Sequence, residues 1–330
     1  MRKKLFSRIS IFIIISIMNY FIIASVLILI GNSKKPFSDQ KRLSFNELFI
    51  DYSALPKLQN YTARDGTLLS YRHYPAESDK TLILLHGSGW HSQYFLPLAG
   101  FIASQGIARV YTPDLRGHGR SPKRRGDVDY IGQLEDDLAD LITVIKKENP
   151  NSMMIVGGHS SGGGLAIRFA GSRYGQQADA YLLLAPWLKY NAPTRRPEKG
   201  RWARPYTLRI IGLSMLNNVG VRFFNNLPVI TFNIPKEARD GTETLFYSYR
   251  LNNSYAPRNY KKDLSAITQP LFLVAGTEDK VFYADKYEPV ISQYTDVRVK
   301  LLQGVSHMGV VASSKVRPVI GEWLNNLDKP

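Results

Sequence analysis

The chain has no cysteine among its 330 residues, which removes disulfides, thiolate catalysis and cysteine-containing zinc sites from consideration. The absence does not fix a compartment, because exported proteins also fold without disulfides. Histidine is scarce, six in all, so an imidazole base must come from a short list. Acidic residues are outnumbered, 27 Asp and Glu against 43 Lys and Arg. The resulting formal charge of +16 implies attraction to polyanions, either nucleic acid or an anionic membrane surface. Repeats and low-complexity tracts are missing too. Core-forming material is ample: 44% hydrophobic and 21% charged residues suit one globular α/β domain carrying insertions.

What the chain does have is a long uncharged apolar run, residues 9–30. As a helix rising about 1.5 Å per residue it covers roughly 33 Å, enough to cross a bilayer core. Arg2, Lys3, Lys4 and Arg8 precede it and Lys34, Lys35, Lys41 and Arg42 follow, a balance that leans toward a cytoplasmic N-terminus. The other reading is a cleaved signal sequence, for which Gly31-Asn32-Ser33 offers a small-residue site. Both readings carry the remaining chain across a membrane. Residues 1–33 are therefore taken as anchor or signal sequence, and 34–58 as a connector whose Phe45, Leu48, Phe49 and Ile50 are expected to dock on the domain.

Beyond it, strand and helix signals alternate. Asp65-Gly66 inside residues 60–75 predicts a tight hairpin. Short apolar runs at 81–85, 108–112, 153–156, 180–184, 270–274 and 297–302 read as buried strands. Residues 130–147 have helical period, with Leu134, Leu138, Leu141, Ile142 and Ile145 on one face and Glu135, Asp136, Asp137 and Asp140 on the other. This alternation predicts a mostly parallel, doubly wound α/β sheet. About 80 residues separate the strand near Pro186 from the one at Pro270, too many for a connection, so a cap or lid is expected over 189–263 within a core of 59–188 and 264–330. The cap holds 14 Lys or Arg against 5 Asp or Glu, +9 of the whole charge.

Gly158-His159-Ser160-Ser161-Gly162 matches G-x-S-x-G between a strand signal and a helix-competent run at 165–173. A serine on such a turn sits at a helix N-terminus, where negative charge developing in a reaction is stabilised. Ser160 is thus the candidate nucleophile. Its base is expected to be His307, on a loop after the last strand signal, whereas His86 and His118 follow glycine-rich turns and read as loop braces. Asp279, just past the strand at 270–274, is the expected partner of His307, with Asp114 the weaker competitor and Glu278 a solvated neighbour. The order Ser, Asp, His is that of α/β-hydrolases. Oxyanion donors are expected from the backbone N–H groups of Ser161 and of Ser88 in His86-Gly87-Ser88-Gly89.

Together with Trp90-His91-Ser92, the stretch Asp114 to Ser121, Gly276 to Val281 and Ser306-His307, these motifs resemble the monoacylglycerol lipase and lysophospholipase branch of the α/β-hydrolase superfamily over roughly residues 60–328. The resemblance implies the α/β-hydrolase fold with a cap between the sixth and seventh core strands, here preceded by one transmembrane helix. It further implies cofactor-free, metal-free hydrolysis of acylglycerol-like or related esters. The chain departs from the branch where Ser161-Gly162-Gly163-Gly164 replaces the methionine often found after the nucleophile, and in its Arg- and Asn-rich cap. Peptide or thioester hydrolysis uses the same machinery and stays open. A non-catalytic lipid- or nucleic-acid-binding protein on this scaffold is the competing class, and no nucleic-acid motif backs it. Arg195, Arg196, Lys199, Arg201, Trp202 and Arg204 fall in one short stretch of the cap and are expected to meet substrate or a lipid surface.

Overall fold

The computed structural model describes residues 2–31, 43, 45–120, 122–197 and 202–328, with side chains in the first helix from Ile9 onward. Asn32 and Ser33, connector residues 34–42, Ser121, Lys199 and Arg201 lie outside the described residues. The chain opens with helix α1 (Arg2–Ile30) and reaches the first strands at β1 (Gln59–Thr62) and β2 (Leu68–Tyr74). Then follow β3 (Lys80–Leu85), α2 (Leu96–Ser104), β4 (Arg109–Pro113), α3 (Gln133–Glu148), β5 (Met153–His159), α4 (Ser161–Ala170) and β6 (Ala180–Leu184). Between β6 and the next core strand come β7 (Ala203–Pro205), α5 (Thr207–Asn218), β8 (Pro228–Phe232), β9 (Phe246–Ser248), α6 (Tyr249–Tyr255) and α7 (Tyr260–Ser265). The core resumes with β10 (Leu271–Gly276), α8 (Tyr287–Ile291), β11 (Arg298–Leu302), α9 (Gly309–Ala312) and α10 (Val316–Asn325).

Eight strands make one sheet in the order β1-β2-β4-β3-β5-β6-β10-β11. Strands β4, β3, β5, β6, β10 and β11 are mutually parallel, and only β2, in the β1–β2 hairpin at one edge, runs against them. Asp65-Gly66 turns that hairpin, with Gly66 at φ 79° and Ala63 N–H bonded to Thr67 O. Residues of β5 and β6 are buried throughout because helices cover both faces, so their sequences are apolar without alternation. The chain leaves β3 toward β4 on one side and β5 on the other. That reversal opens a crevice at the carboxyl ends of β3 and β5, where α/β sheets bind ligands.

Helix α3 buries the expected apolar face, yet its acidic face is not wholly solvated: Glu135 and Asp137 are buried as well. Glu135 lies 2.7 Å from Arg168 Nε and also pairs with Arg258, while Asp137 accepts from Arg116 at 2.7 and 2.8 Å. These arginines come from other elements, so burial of the carboxylates is compensated by partners distant in sequence.

In the interval between β6 and β10, β7, β8 and β9 form a small antiparallel sheet. It reaches the main domain through Thr244 N–H to Gly89 O and Ser248 N–H to Gly126 O. Of the connector residues expected to dock, Phe45 and Leu48 are buried in the main core, while Phe49 is exposed. Helix α1 is exposed on all sides from Ile9 to Asn19, and among its described side chains only those from Tyr20 onward meet the domain.

Candidate active site

Strand β5 ends at His159, and the chain turns at Ser160 into α4. Ser160 has φ 54° and ψ −118°, a conformation uncommon for a residue with a side chain. Three backbone hydrogen bonds hold it there: its N–H donates to Leu184 O at 2.9 Å, and its carbonyl accepts from Gly164 N–H at 3.1 Å and Trp187 N–H at 2.8 Å. The turn can be this tight only because Gly158 and Gly162 face backbone. A Cβ on Gly162 would meet the carbonyl of Leu85, and one on Gly158 would meet the backbone of Gly162. The Ser160 side chain is thereby fixed at the N-terminus of α4, beside the turn after β3.

His307, on the loop between β11 and α9, directs Nδ1 at Asp279 Oδ2, 2.7 Å away. Asp279 lies past the end of β10 and is itself pinned: its Oδ1 accepts the N–H groups of Val281 at 2.7 Å and Phe282 at 2.9 Å. Both groups are buried. With Nδ1–H given to Asp279, the His307 tautomer leaves Nε2 as the basic nitrogen. Ser160 and His307 line one cavity together with Gly87, Ser88, Tyr94 and His159. The competitor Asp114 is engaged elsewhere, accepting from Ser92 N–H at 2.9 Å and lying 3.7 Å from His91 Nδ1.

The expected loop braces behave as such. His86 Nε2 accepts from Leu115 N–H at 3.0 Å, and His118 bridges Leu115 and Arg116 carbonyls to the Tyr247 hydroxyl. Burial pushes His86 down to about 4 and His118 well below the ordinary histidine value, so both are neutral. Ser161 opens α4, so its N–H has no acceptor within the helix. The hydroxyls of Ser88 and Ser161 meet at 2.6 Å, which places the two expected oxyanion residues side by side.

Of the basic cap residues, Arg196 donates Nε to Phe282 O at 2.9 Å and covers the Tyr283 ring, and Arg195 forms a bridge with Phe282. Arg204 lies in β7. The Trp202 ring stacks on Phe232 and lines the Ser160 cavity, the substrate side of the role expected for it. Residues that carry no signal for a place in the site complete that cavity. Leu43 and Phe45 close it from the connector side, with Phe45 against Trp90 at 5.8 Å between ring centroids. The enclosed space is only 20 Å³, room for about one water. A wider groove of 790 Å³ lies between the β1–β2 hairpin and the 114–129 loop, where Arg116 and Arg124 pair with Asp65, Asp127 and Asp129. It includes no member of the Ser160 group. Among the described residues no cluster of His, Asp and Glu could hold a metal ion.

The chain is similar to several known proteins. Human monoglyceride lipase is 28% identical over 243 residues, covering 70% of this chain and 75% of the lipase. The crystal structure of the Paleococcus ferrophilus monoacylglycerol lipase superposes with a TM-score of 0.58 at 19% identity, over 78% of this chain and 98% of that one. A soluble variant of the Saccharomyces cerevisiae monoglyceride lipase, solved with a substrate analogue, gives 0.62 at 17% identity over 90% and 100%. The Hydrolase_4 model, described as serine aminopeptidase, S33, matches residues 76–311. The chain therefore belongs to the Hydrolase_4 family and is a serine hydrolase of the α/β-hydrolase fold, in the branch that holds the monoglyceride lipases.

Proposed function

We propose that this protein is a membrane-anchored carboxylester hydrolase acting on monoacylglycerol- or lysophospholipid-like esters. The observation that carries the reading is the 2.7 Å bond from His307 to Asp279 in a pocket that also holds the strained Ser160. Ser160 Oγ attacks the ester carbonyl as His307 Nε2 takes its proton, and the N–H groups of Ser88 and Ser161 receive the oxyanion. His307 then protonates the leaving alcohol and later activates the water that releases the acyl group, while Asp279 holds the tautomer and stabilises the imidazolium. The relatives named as monoglyceride lipases support the substrate class. Labelling by a fluorophosphonate, with turnover of short esters, monoacylglycerols, lysophospholipids and peptides by the wild-type protein and Ser160→Ala, tests it. Normal labelling of folded Ser160→Ala would refute the nucleophile. Preference for peptides would favour a second reading, aminopeptidase chemistry, which the family's description suggests.

The anchor in this proposal is Ile9–Ile30, long and apolar enough to cross a membrane. The catalytic domain lies on the side away from the cytoplasm, and residues 189–263 act as a lid. Digestion by protease added outside spheroplasts is the expected result; protection until lysis would reverse the orientation. Arg195, Arg196, Lys199, Arg201 and Arg204 are taken to draw the cap to anionic headgroups, each contributing about 1 kcal/mol near the surface. Binding of residues 34–330 to anionic vesicles should fall when all five become Gln, and should fall with salt.

A further inference from the structure

We infer that α5 and the turn after it, residues 219–224, form a second membrane-embedded segment, packed against α1 within the leaflet on the domain's side. The inference rests on α1 being an anchor. Contacts between the two helices run in antiparallel order. Tyr20 Oη donates to Met215 O at 2.7 Å, Gly212 faces Ala24 and Ile28, and Arg209 Nε donates to Ile28 O at 3.2 Å with its backbone against Gly31. The approach is close because residues at the crossing are small: a Cβ on Gly212 would lie 2.5 Å from Ala24 O. Small residues at a crossing, with backbone carbonyls satisfied by side chains from the facing helix, are how helices associate in lipid.

Length then forces the depth. The part of α1 clear of the domain, Ile9–Asn19, is roughly 16 Å long at 1.5 Å per residue, about half of a 30 Å hydrocarbon core. The remaining thickness must be crossed by the section docked on α5, so α5 enters with it. Its surface suits that environment. Residues 207–227 contain no Asp, Glu or Lys, and the guanidinium of Arg209 is spent on the carbonyls of Ile28 and Pro228. Leu208, Ile211, Val219, Phe223 and Phe224 are all exposed, Phe223 by 85%, which in water would be an apolar ridge without a partner. Asn217 and Asn225 bond to each other through both amides, so the turn's buried polar groups are satisfied internally. Arg222, exposed beside Phe223, has to reach back toward the headgroups and limits how deep the turn goes. At its other end α5 begins beside Gly31, so Arg204, three residues before the helix, falls near headgroup level.

The lack of native cysteine makes the test direct. Single variants Ile15→Cys, Ile211→Cys, Phe223→Cys and Leu68→Cys of the full chain are labelled with an environment-sensitive fluorophore and reconstituted in phosphatidylcholine nanodiscs with acyl-chain spin-labelled lipid. Quenching at 211 and 223 should approach that at 15 and exceed that at 68, an exposed position on the core hairpin. Quenching at 15 with water-like signals at 211 and 223 would overturn the inference while leaving the anchor intact. Absence of quenching at 15 would overturn the anchor and this inference with it.

Discussion

His159, the residue before the nucleophile, donates Nε2–H to the backbone carbonyl of His307 at 3.0 Å. Its other ring nitrogen lies 3.1 Å from the hydroxyl of Tyr94, which in turn accepts from Gly87 N–H at 2.7 Å. Burial keeps the His159 ring neutral, by pushing its proton affinity well below the ordinary histidine value, so one nitrogen donates and the other accepts. A single hydrogen-bonded path thus ties the oxyanion turn to the loop of the base. His159→Phe keeps a ring but strands the Tyr94 hydroxyl and the His307 carbonyl. kcat should fall by about tenfold to a hundredfold, matching 1–3 kcal/mol for an unsatisfied buried group, while KM changes little. Tyr94→Phe should move kcat in the same direction. An unchanged kcat in folded protein, with only a lower Tm, would reduce both to structural supports.

Removal of the triad members should not be uniform. Ser160→Ala and His307→Ala should each abolish turnover to the level of the oxyanion site alone, and Asp279→Asn should cost about 10⁴ in kcat through the wrong His307 tautomer. Asp114→Asn, whose carboxylate holds Ser92 N–H, should act mainly on stability. A folded Asp114→Asn enzyme slower than Asp279→Asn would show that the acid is misassigned.

Acid should unfold the protein through its neutral histidines. His86, held at about 4, and His118 and His159, lower than normal, bind protons less readily folded than unfolded, where the value is about 6.5. Their contribution is therefore complete above pH 6.5 and is lost as pH falls toward 4, at about 1.4 kcal/mol per pH unit for each histidine. Asp137 works the other way: burial raises it to about 6, so its contribution is present at low pH and disappears as pH rises through that value. With five lowered histidines, His73, His86, His91, His118 and His159, against the raised Glu135, Asp137 and Asp263, urea midpoints should decline from pH 6.5 to 4.5. His118→Gln should flatten the decline; an unchanged slope would mean that this histidine is not kept neutral.

Glu135 neutralises two arginines from inside the fold. Glu135→Gln should destabilise by about 3–5 kcal/mol, because Arg168 would remain buried without its carboxylate. Adding Arg168→Met should restore much of the loss. Urea unfolding of the single and double variants measures the coupling, and additive effects would mean the pair does not interact.

The parallel core strands were legible because each is a short apolar run closed by a glycine or proline, and the hairpin because Asp65-Gly66 supplies its turn; β7, β8 and β9 carried no such signal. Ser160, Asp279 and His307 could be chosen from their places after strand signals, before any contact between them was known. The burial of Glu135 and Asp137 was not legible, since a row of acids on a helix has the same pattern whether it meets water or arginines brought from elsewhere. For Trp202 the sequence left substrate and lipid surface open, since an aromatic among cations has the same pattern in either role until Phe232, thirty residues on in the chain, is seen stacked on it. The role of His159 was not legible either, since its partner is the backbone of the opposite loop. Phe45 docks but Phe49 does not, a distinction that needs the shape of the surface below.

The pairing of β6 with β10 encloses the whole inserted interval, so the sheet cannot be completed until that interval has emerged and its ends have met. Loop closure of this length adds only modestly to the free energy, but nonlocal parallel pairing is slow. Ser160 precedes the interval, whereas Asp279 and His307 follow it. During synthesis the chain therefore passes through a long period in which the proposed nucleophile exists without its proposed base, and on that assignment hydrolytic power arrives last, with the final strands.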